Sequence, residues 1–271
     1  MASNPVLTKL EAPAPASPQP MSTTSGLPPA APSGMAGATR PVSFEPVAGS
    51  GNRYMTLDDV VVRTAAMLVV VMLSGSVSWA LANSSVAGAL ILVGVLGGLG
   101  LGLYIAFTTK ANAFTSLAYA AFEGLFLGAV SRAFESAYPG IVVQAITGTI
   151  MVAAGMLFVY KIGAIRVTPR LWRVVAGATI GLVGLMLVNL IASFFHSGGL
   201  GLREGGLLGI GFSLLCIVIA SLNLVLDFDL IERSIRRGTD EKFAWYCAFG
   251  IMVTLIWLYL EILRLLGNLR N

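Results

Sequence analysis

Residues 64–109 read TAAMLVVVMLSGSVSWALANSSVAGALILVGVLGGLGLGLYIAFTT and contain no Asp, Glu, Lys or Arg. A helix needs about 20 apolar residues to cross a hydrocarbon layer of roughly 30 Å, so this stretch is long enough for two crossings. The polar link Asn83-Ser84-Ser85 lies where the turn between them would fall. The stretch predicts a helical membrane protein. If that turn were absent, the two spans would merge into one, and the membrane orientation of every later span would be reversed.

Composition extends this prediction to the whole chain. Of its 271 residues, 56% are hydrophobic and only 11% are charged, against about a quarter charged in an ordinary soluble domain. The net charge of +4 would suggest nucleic acid binding in a soluble protein. Here Lys and Arg occupy short gaps between apolar segments, so we expect them to orient the chain and contact anionic lipid head groups, with no nucleic acid partner.

The apolar segments predict an all-α bundle of seven transmembrane helices. Each segment is long enough to span the bilayer, the third only just. Their predicted bounds are 61–82, 86–108, 114–131, 141–160, 174–195, 206–226 and 243–263.

The first 54 residues differ from the rest, because they are rich in Pro, Ala and Ser and lack hydrophobic periodicity. Such a segment cannot bury enough apolar surface to offset the entropy of folding. We therefore predict a disordered cytoplasmic tail over 1–54 and a seven-helix domain over 55–271. Thr56 is the expected N-cap of the first helix, with Asp59 placed to favour its positive end.

Basic residues are distributed unevenly between the two sides of the predicted bundle. If all seven segments cross, the side opposite the N-terminus receives only Arg132, Arg203, Arg264 and Arg270. By the positive-inside rule the N-terminus is cytoplasmic and the C-terminus lies outside. We expect a multi-pass protein of the plasma (inner) membrane. The N-terminal side carries Arg53, Arg63, Lys110, Lys161, Arg166, Arg170, Arg173, Arg233, Arg236, Arg237 and Lys242.

Glycines recur at four-residue spacing inside several spans. This spacing lets helix backbones approach closely in lipid, so we expect tight packing within the bundle. The pattern occurs at Gly94, Gly98 and Gly102, at Gly124 and Gly128, and at Gly177 and Gly181.

Three carboxylates lie in or at the ends of the spans: Glu123 in the third, Asp227 at the end of the sixth and Glu261 in the seventh. A carboxylate in hydrocarbon costs at least a few kcal/mol, so such residues usually face a water-filled path or a polar partner. They are the candidate ion-path or pH-sensing residues. For Asp229 and Glu232, just beyond the sixth span, we predict a salt-bridged helix end.

Enzyme chemistry has little support in the sequence. His196 is the only histidine, so zinc spacing between two histidines is impossible. No Gly-x-Ser-x-Gly elbow lies in an apolar segment, and the seventh span has no lysine for a retinal Schiff base. Cys216 and Cys247 both fall in apolar segments and are expected to be small buried hydrophobes. We expect no enzyme, no cofactor and no metal site.

Three stretches resemble the Bax-inhibitor family: 120–128 (AAFEGLFLG), 221–229 (SLNLVLDFD) and 258–266 (LYLEILRLL). The opening 55–63 (MTLDDVVVR) resembles a bacterial branch with Pro/Ala-rich tails, and the likeness covers about residues 55–270. The resemblance implies a bundle whose last helix is central and wrapped by the other six. It also implies a pH-sensitive calcium leak and, in eukaryotes, suppression of cell death.

The family's proposed sensor is a pair of aspartates, and Asp227 matches the first by motif. For the second, the 258–261 motif selects Glu261, whereas an ungapped match from Trp245 selects Thr254, and both alignments remain open. Glu261 lies 18 residues after Phe243, about 27 Å along a helix. Because this places it near the outer surface, we do not expect a direct pair with Asp227.

Two functions follow as hypotheses. The first is a leak channel for calcium or protons, in which Glu123 and Asp227 line the path and protonation sets conductance. Ionised Asp227 would be latched by a basic residue and released by acid. The second is a non-conducting regulator that binds other membrane proteins, such as proteases or secretion machinery. The charge partners available to the two acids are Lys110, Arg233 and Arg236.

Overall fold

The computed structural model describes residues 53–195 and 206–270. His196 and the predicted tail, apart from its last two residues, lie outside this part of the chain. The described residues form seven α-helices, each long and apolar enough to cross a membrane, which confirms the predicted all-α fold. The helices are α1 Leu57–Leu81, α2 Ala87–Thr108, α3 Ala113–Ala137, α4 Ile141–Lys161, α5 Pro169–Phe195, α6 Leu207–Arg236 and α7 Phe243–Arg270.

The start of α1 and the turn after it follow local signals in the sequence. The Thr56 side chain accepts from the Asp59 backbone N–H, and the Asp59 carboxylate accepts from the Thr56 N–H at 2.9 Å, which completes a capping box. In the next link, Ser84 N donates to Leu81 O at 2.9 Å. The predicted cap and the predicted division of the first apolar stretch are both confirmed.

Three helices extend well beyond the C-terminal ends of their predicted spans. Helices α3, α6 and α7 continue to Ala137, Arg236 and Arg270, beyond the predicted ends at 131, 226 and 263. The difference arises because hydropathy marks where the chain leaves hydrocarbon, whereas helical hydrogen bonding continues into the polar region. The last turn of α6 carries Arg233 and Arg236, and the negative C-terminal end of the helix dipole stabilises their positive charges.

Helix α7 is the central helix, as the resemblance implied, although four of the other six helices and not all six pack against it. It carries more buried side chains than any other helix of the described residues and packs against α1, α3, α4 and α6. Helix α2 packs on α3, and α5 packs on α6. Large apolar side chains of α5, including Leu187 and Val188, are exposed, as expected for a surface that contacts lipid.

Glycines bring α1 and α2 close to α3. A Cβ added at Gly124 would lie 1.9 Å from Ser74 Oγ of α1, and one at Gly94 would lie 2.9 Å from Phe122 O. The predicted tight packing is confirmed at these sites. It is wrong for Gly177 and Gly181, where no described atom lies within 4 Å of an added Cβ, because α5 presents that face away from the bundle.

The two ends of the bundle are distinguishable by the contacts between helix termini. At one end Arg233 donates to Val167 O at 3.2 Å, joining the end of α6 to the link between α4 and α5. At the other, Arg270 donates to Pro139 O at 3.1 Å. We call the first, which also carries the start of α1, the basic end, and the second the opposite end.

Candidate functional site

The carboxylate of Asp227 lies in the seam between α6 and α7. Thr254 of α7 donates its hydroxyl to Asp227 Oδ2 at 2.6 Å. One turn earlier on α7, a Cβ added at Gly250 would lie 3.2 Å from Asp227 Oδ1. A small residue and a hydroxyl on the central helix thus form a slot for one carboxylate.

The Thr254 hydroxyl has two acceptors and only one hydrogen. Its oxygen is 2.6 Å from Asp227 Oδ2 and 3.1 Å from the Gly250 carbonyl oxygen. When Asp227 is ionised, the hydroxyl donates to the carboxylate. When Asp227 is protonated, its O–H donates to Thr254 Oγ1, and the hydroxyl turns to the Gly250 carbonyl. The pair can therefore gain or lose a proton with both groups still hydrogen-bonded.

The basic residues in the last turn of α6 pair with other acids. Arg233 Nε lies 2.6 Å from Asp229 Oδ2, and Arg236 Nη1 lies 3.3 Å from Glu232 Oε1. These i,i+4 pairs confirm the predicted salt-bridged helix end. Among the residues that the structure describes, no ion pair includes Asp227. The structure therefore contains no basic latch on Asp227 of the kind expected from the sequence.

Glu123 lies on the face of α3 that packs against α2. Its carboxylate approaches Gly98, where an added Cβ would lie 2.8 Å from Glu123 Oε1. The Tyr119 side chain, one turn earlier on α3, lies beside the carboxylate. Lys110 forms no ion pair within the described part of the chain. Glu123 and Asp227 thus have different partners on different helices.

Glu261 is buried and paired within its own helix. Arg264 Nη1 donates to both carboxylate oxygens of Glu261, at 2.9 and 3.0 Å. Glu261 is 2% exposed, and its carboxylate pairs with Arg264 and not with Asp227, as expected. The α7 residue that hydrogen-bonds Asp227 is Thr254, which lies two turns before Glu261, or about 10 Å along the helix.

Two of the clefts among the described residues are not lined by Glu123, Asp227 or Glu261. One, of about 390 Å³, lies at the basic end and includes Arg63 and Trp245. The other, of about 310 Å³, lies at the opposite end. No group of three His, Cys, Asp or Glu side chains within the described ranges is arranged to hold a metal ion.

Two partners of these acids were not identified from the sequence. Arg264 follows Glu261 by three residues, and Tyr119 precedes Glu123 by four. Both spacings place the side chains side by side on a helix, so helical periodicity was the signal that could have found them.

The comparison with protein families agrees with this architecture. A family model described as Bax inhibitor 1 like matches residues 4–271. The match covers the seven helices and extends beyond the likeness noted over 55–270 into the Pro/Ala-rich tail. No curated protein matches the chain. With nearly its whole length matched, the chain belongs to the Bax inhibitor 1 like family.

Proposed function

We propose that the chain is a pH-sensitive cation leak channel of the Bax-inhibitor type, passing calcium or protons. The observation that carries the proposal is the Asp227–Thr254 pair. An acid within a membrane-spanning helix usually faces an ion path or a polar partner. Here the partner is a neutral hydroxyl at 2.6 Å, so the negative charge of ionised Asp227 remains available to a cation.

The same pair supports a direction for the pH response. A hydrogen bond to an ionised carboxylate is roughly twice as strong as one between neutral groups. Ionised Asp227 therefore holds α6 to α7 more tightly than protonated Asp227 does. Acid weakens the seam and raises the flux. This mechanism needs no basic latch, and it replaces the one expected from the sequence.

The other two carboxylates have different proposed roles. Glu123, which has Tyr119 as its neighbour one turn earlier on α3, is a second cation-attracting site along the path. Glu261 is compensated by Arg264 at 2.9 Å, so we assign it to structure and not to the path. Glu123→Gln should accordingly lower the flux at neutral pH and leave the acid response in place.

Calcium entry into proteoliposomes, measured across a pH series, tests the assignment of Asp227. The wild type should conduct more at acid pH, and Asp227→Asn should conduct at a high level that no longer depends on pH. Asp229→Asn is the matched control, because it makes the same change two residues away in a side chain paired with Arg233. An unchanged acid response in Asp227→Asn would remove Asp227 from the mechanism. Absence of flux in the wild type would favour the non-conducting regulator of other membrane proteins.

We further propose that the basic end faces the cytoplasm of a bacterial cell and that the chain lies in its plasma membrane. The proposal rests on the excess of Lys and Arg at that end and on the positive-inside rule. Reporter fusions in the 162–168 loop and after Asn271 should report cytoplasm and exterior, respectively. The reverse result would invert the assignment.

A further inference from the structure

The segment just before α1 is bound to the loop between α6 and α7. Residues 53–55, which we call the strap, run antiparallel to that loop. Met55 N donates to Thr239 O at 2.8 Å, and Glu241 N donates to Arg53 O at 2.9 Å. The sequence prediction had placed the first two strap residues in the tail, because two backbone hydrogen bonds to a loop far along the chain leave no local pattern.

The strap buries one side chain. Met55 is 2% exposed and packs in a cluster with Val60 of α1, Ile231 of α6, and Ala244 and Cys247 of α7. Cys247 is likewise 2% exposed. Met55 therefore covers the basic end where these three helices meet.

Beneath this cluster lies the Asp227 seam. Cys247, Gly250 and Thr254 follow one another at spacings of three and four residues, which places them along one face of α7. Thr254 hydrogen-bonds the Asp227 carboxylate, and a Cβ added at Gly250 would lie 3.2 Å from Asp227 Oδ1. A line of residues thus leads from Met55 through Cys247 to the proposed sensor.

The polar contacts that hold the strap are mostly at the surface. Arg53 pairs with Asp59 at 2.9 Å and with Glu241 at 3.8 Å, and its side chain is 65% exposed. Exposed ion pairs contribute little to stability. The cleft of about 390 Å³ runs beside the strap and is lined by Arg53, Asp59, Arg63 and Trp245 among others. Water therefore reaches the strap from its side.

We propose that the strap is a detachable cover on the basic end of the bundle. When residues 53–55 leave the loop, Met55 leaves its cluster, and Cys247 and then the Asp227 seam become accessible from that end. The consequence for ion flux rests on the proposed function, whereas access to Cys247 does not.

Native Cys247 reports directly on the cover. The full chain in detergent micelles is treated with a water-soluble maleimide, and modification is followed for Cys247 and for Cys216, which is fully buried in α6. Met55→Ser should speed the labelling of Cys247 by about tenfold, because labelling tracks the fraction of open molecules. Leu57→Ser, the same kind of change at a site that is 59% exposed, should leave the rate unchanged. Equal rates in the two variants would overturn the proposal, whereas faster labelling of Cys216 as well would mean general unfolding and would also count against it.

A reversible cross-link gives a second test that adds no polar group to the core. Tyr54 and Asp240 face each other as a non-hydrogen-bonded antiparallel pair, the arrangement in which side chains are closest. Oxidation of a Tyr54→Cys, Asp240→Cys variant should slow labelling of Cys247 below the wild-type rate, and reduction should restore it. If oxidation leaves the labelling rate of Cys247 unchanged, the proposal that the strap covers Cys247 is wrong.

Flux in proteoliposomes then separates the cover from the proposed function. Flux that falls on oxidation together with labelling supports a gate. Slower labelling with wild-type flux keeps the cover and overturns its gating role. A wild type without flux refutes the channel but leaves the labelling result intact.

Discussion

Two carboxylates at the central helix, Glu261 of α7 and Asp227 of α6, have different kinds of partner. Glu261 is held by Arg264 of its own helix through contacts of 2.9 and 3.0 Å. Asp227 comes from α6 and meets the hydroxyl of Thr254 at 2.6 Å. The guanidinium beside Glu261 compensates the charge of its carboxylate. A carboxylate beside a hydroxyl can exchange its proton, because both protonation states find a hydrogen-bond partner.

The comparison also separates local from interhelical effects. The Glu261 pair joins residues three apart on one helix, so it moves with that helix as a unit. The Asp227 pair joins α6 to α7, so a change in its hydrogen bond acts between helices. Under the proposed function, only the second pair can couple a proton to a movement of the bundle.

The sharpest test of the comparison is Arg264→Met, which should give the largest loss of stability. Removing one partner of a buried ion pair costs about 3–5 kcal/mol, because the remaining charge is left uncompensated. Thermal unfolding in detergent should show a large drop, while the acid response of flux in the folded fraction is retained. Adding Glu261→Gln to this variant should recover much of the loss. A wild-type unfolding temperature for Arg264→Met would show that Glu261 does not depend on the pair.

A smaller loss is expected for Thr254→Val, which keeps the side-chain shape and removes the hydroxyl. Leaving a buried polar group without its partner costs about 1–3 kcal/mol. Because the seam loses its interhelical hydrogen bond, flux at neutral pH should also rise. Thr254→Ser retains the hydroxyl and serves as the control in both the unfolding and the flux measurements. If the Val and Ser variants behave alike, the hydroxyl does not hold the seam.

The smallest effects are expected for Arg233→Gln and Arg236→Gln. Their i,i+4 pairs with Asp229 and Glu232 are partly exposed, and such pairs contribute about 0.3–0.5 kcal/mol. Unfolding temperatures and the acid response of flux should both stay close to wild type. Loss of the acid response in either variant would restore the basic latch and weaken the contrast between Asp227 and Glu261.

The sequence by itself determined the features that depend on neighbouring residues or on bilayer thickness. The seven spans follow from the length of apolar segments. The Thr56–Asp59 capping box and the Asp229–Arg233 pair follow from spacings of three and four residues on a helix. Each of these can be read within a window of a few turns.

Only the tertiary structure decided which neighbouring helix and which side chain each carboxylate faces. Sequence matching left Thr254 and Glu261 as alternatives, and α7 turns Thr254 toward Asp227. Glu123 faces Gly98 of α2, and the strap crosses to a loop near the other end of the chain. The rotation and register of a helix are set by close packing at small residues that are far apart in sequence, so no local pattern specifies them.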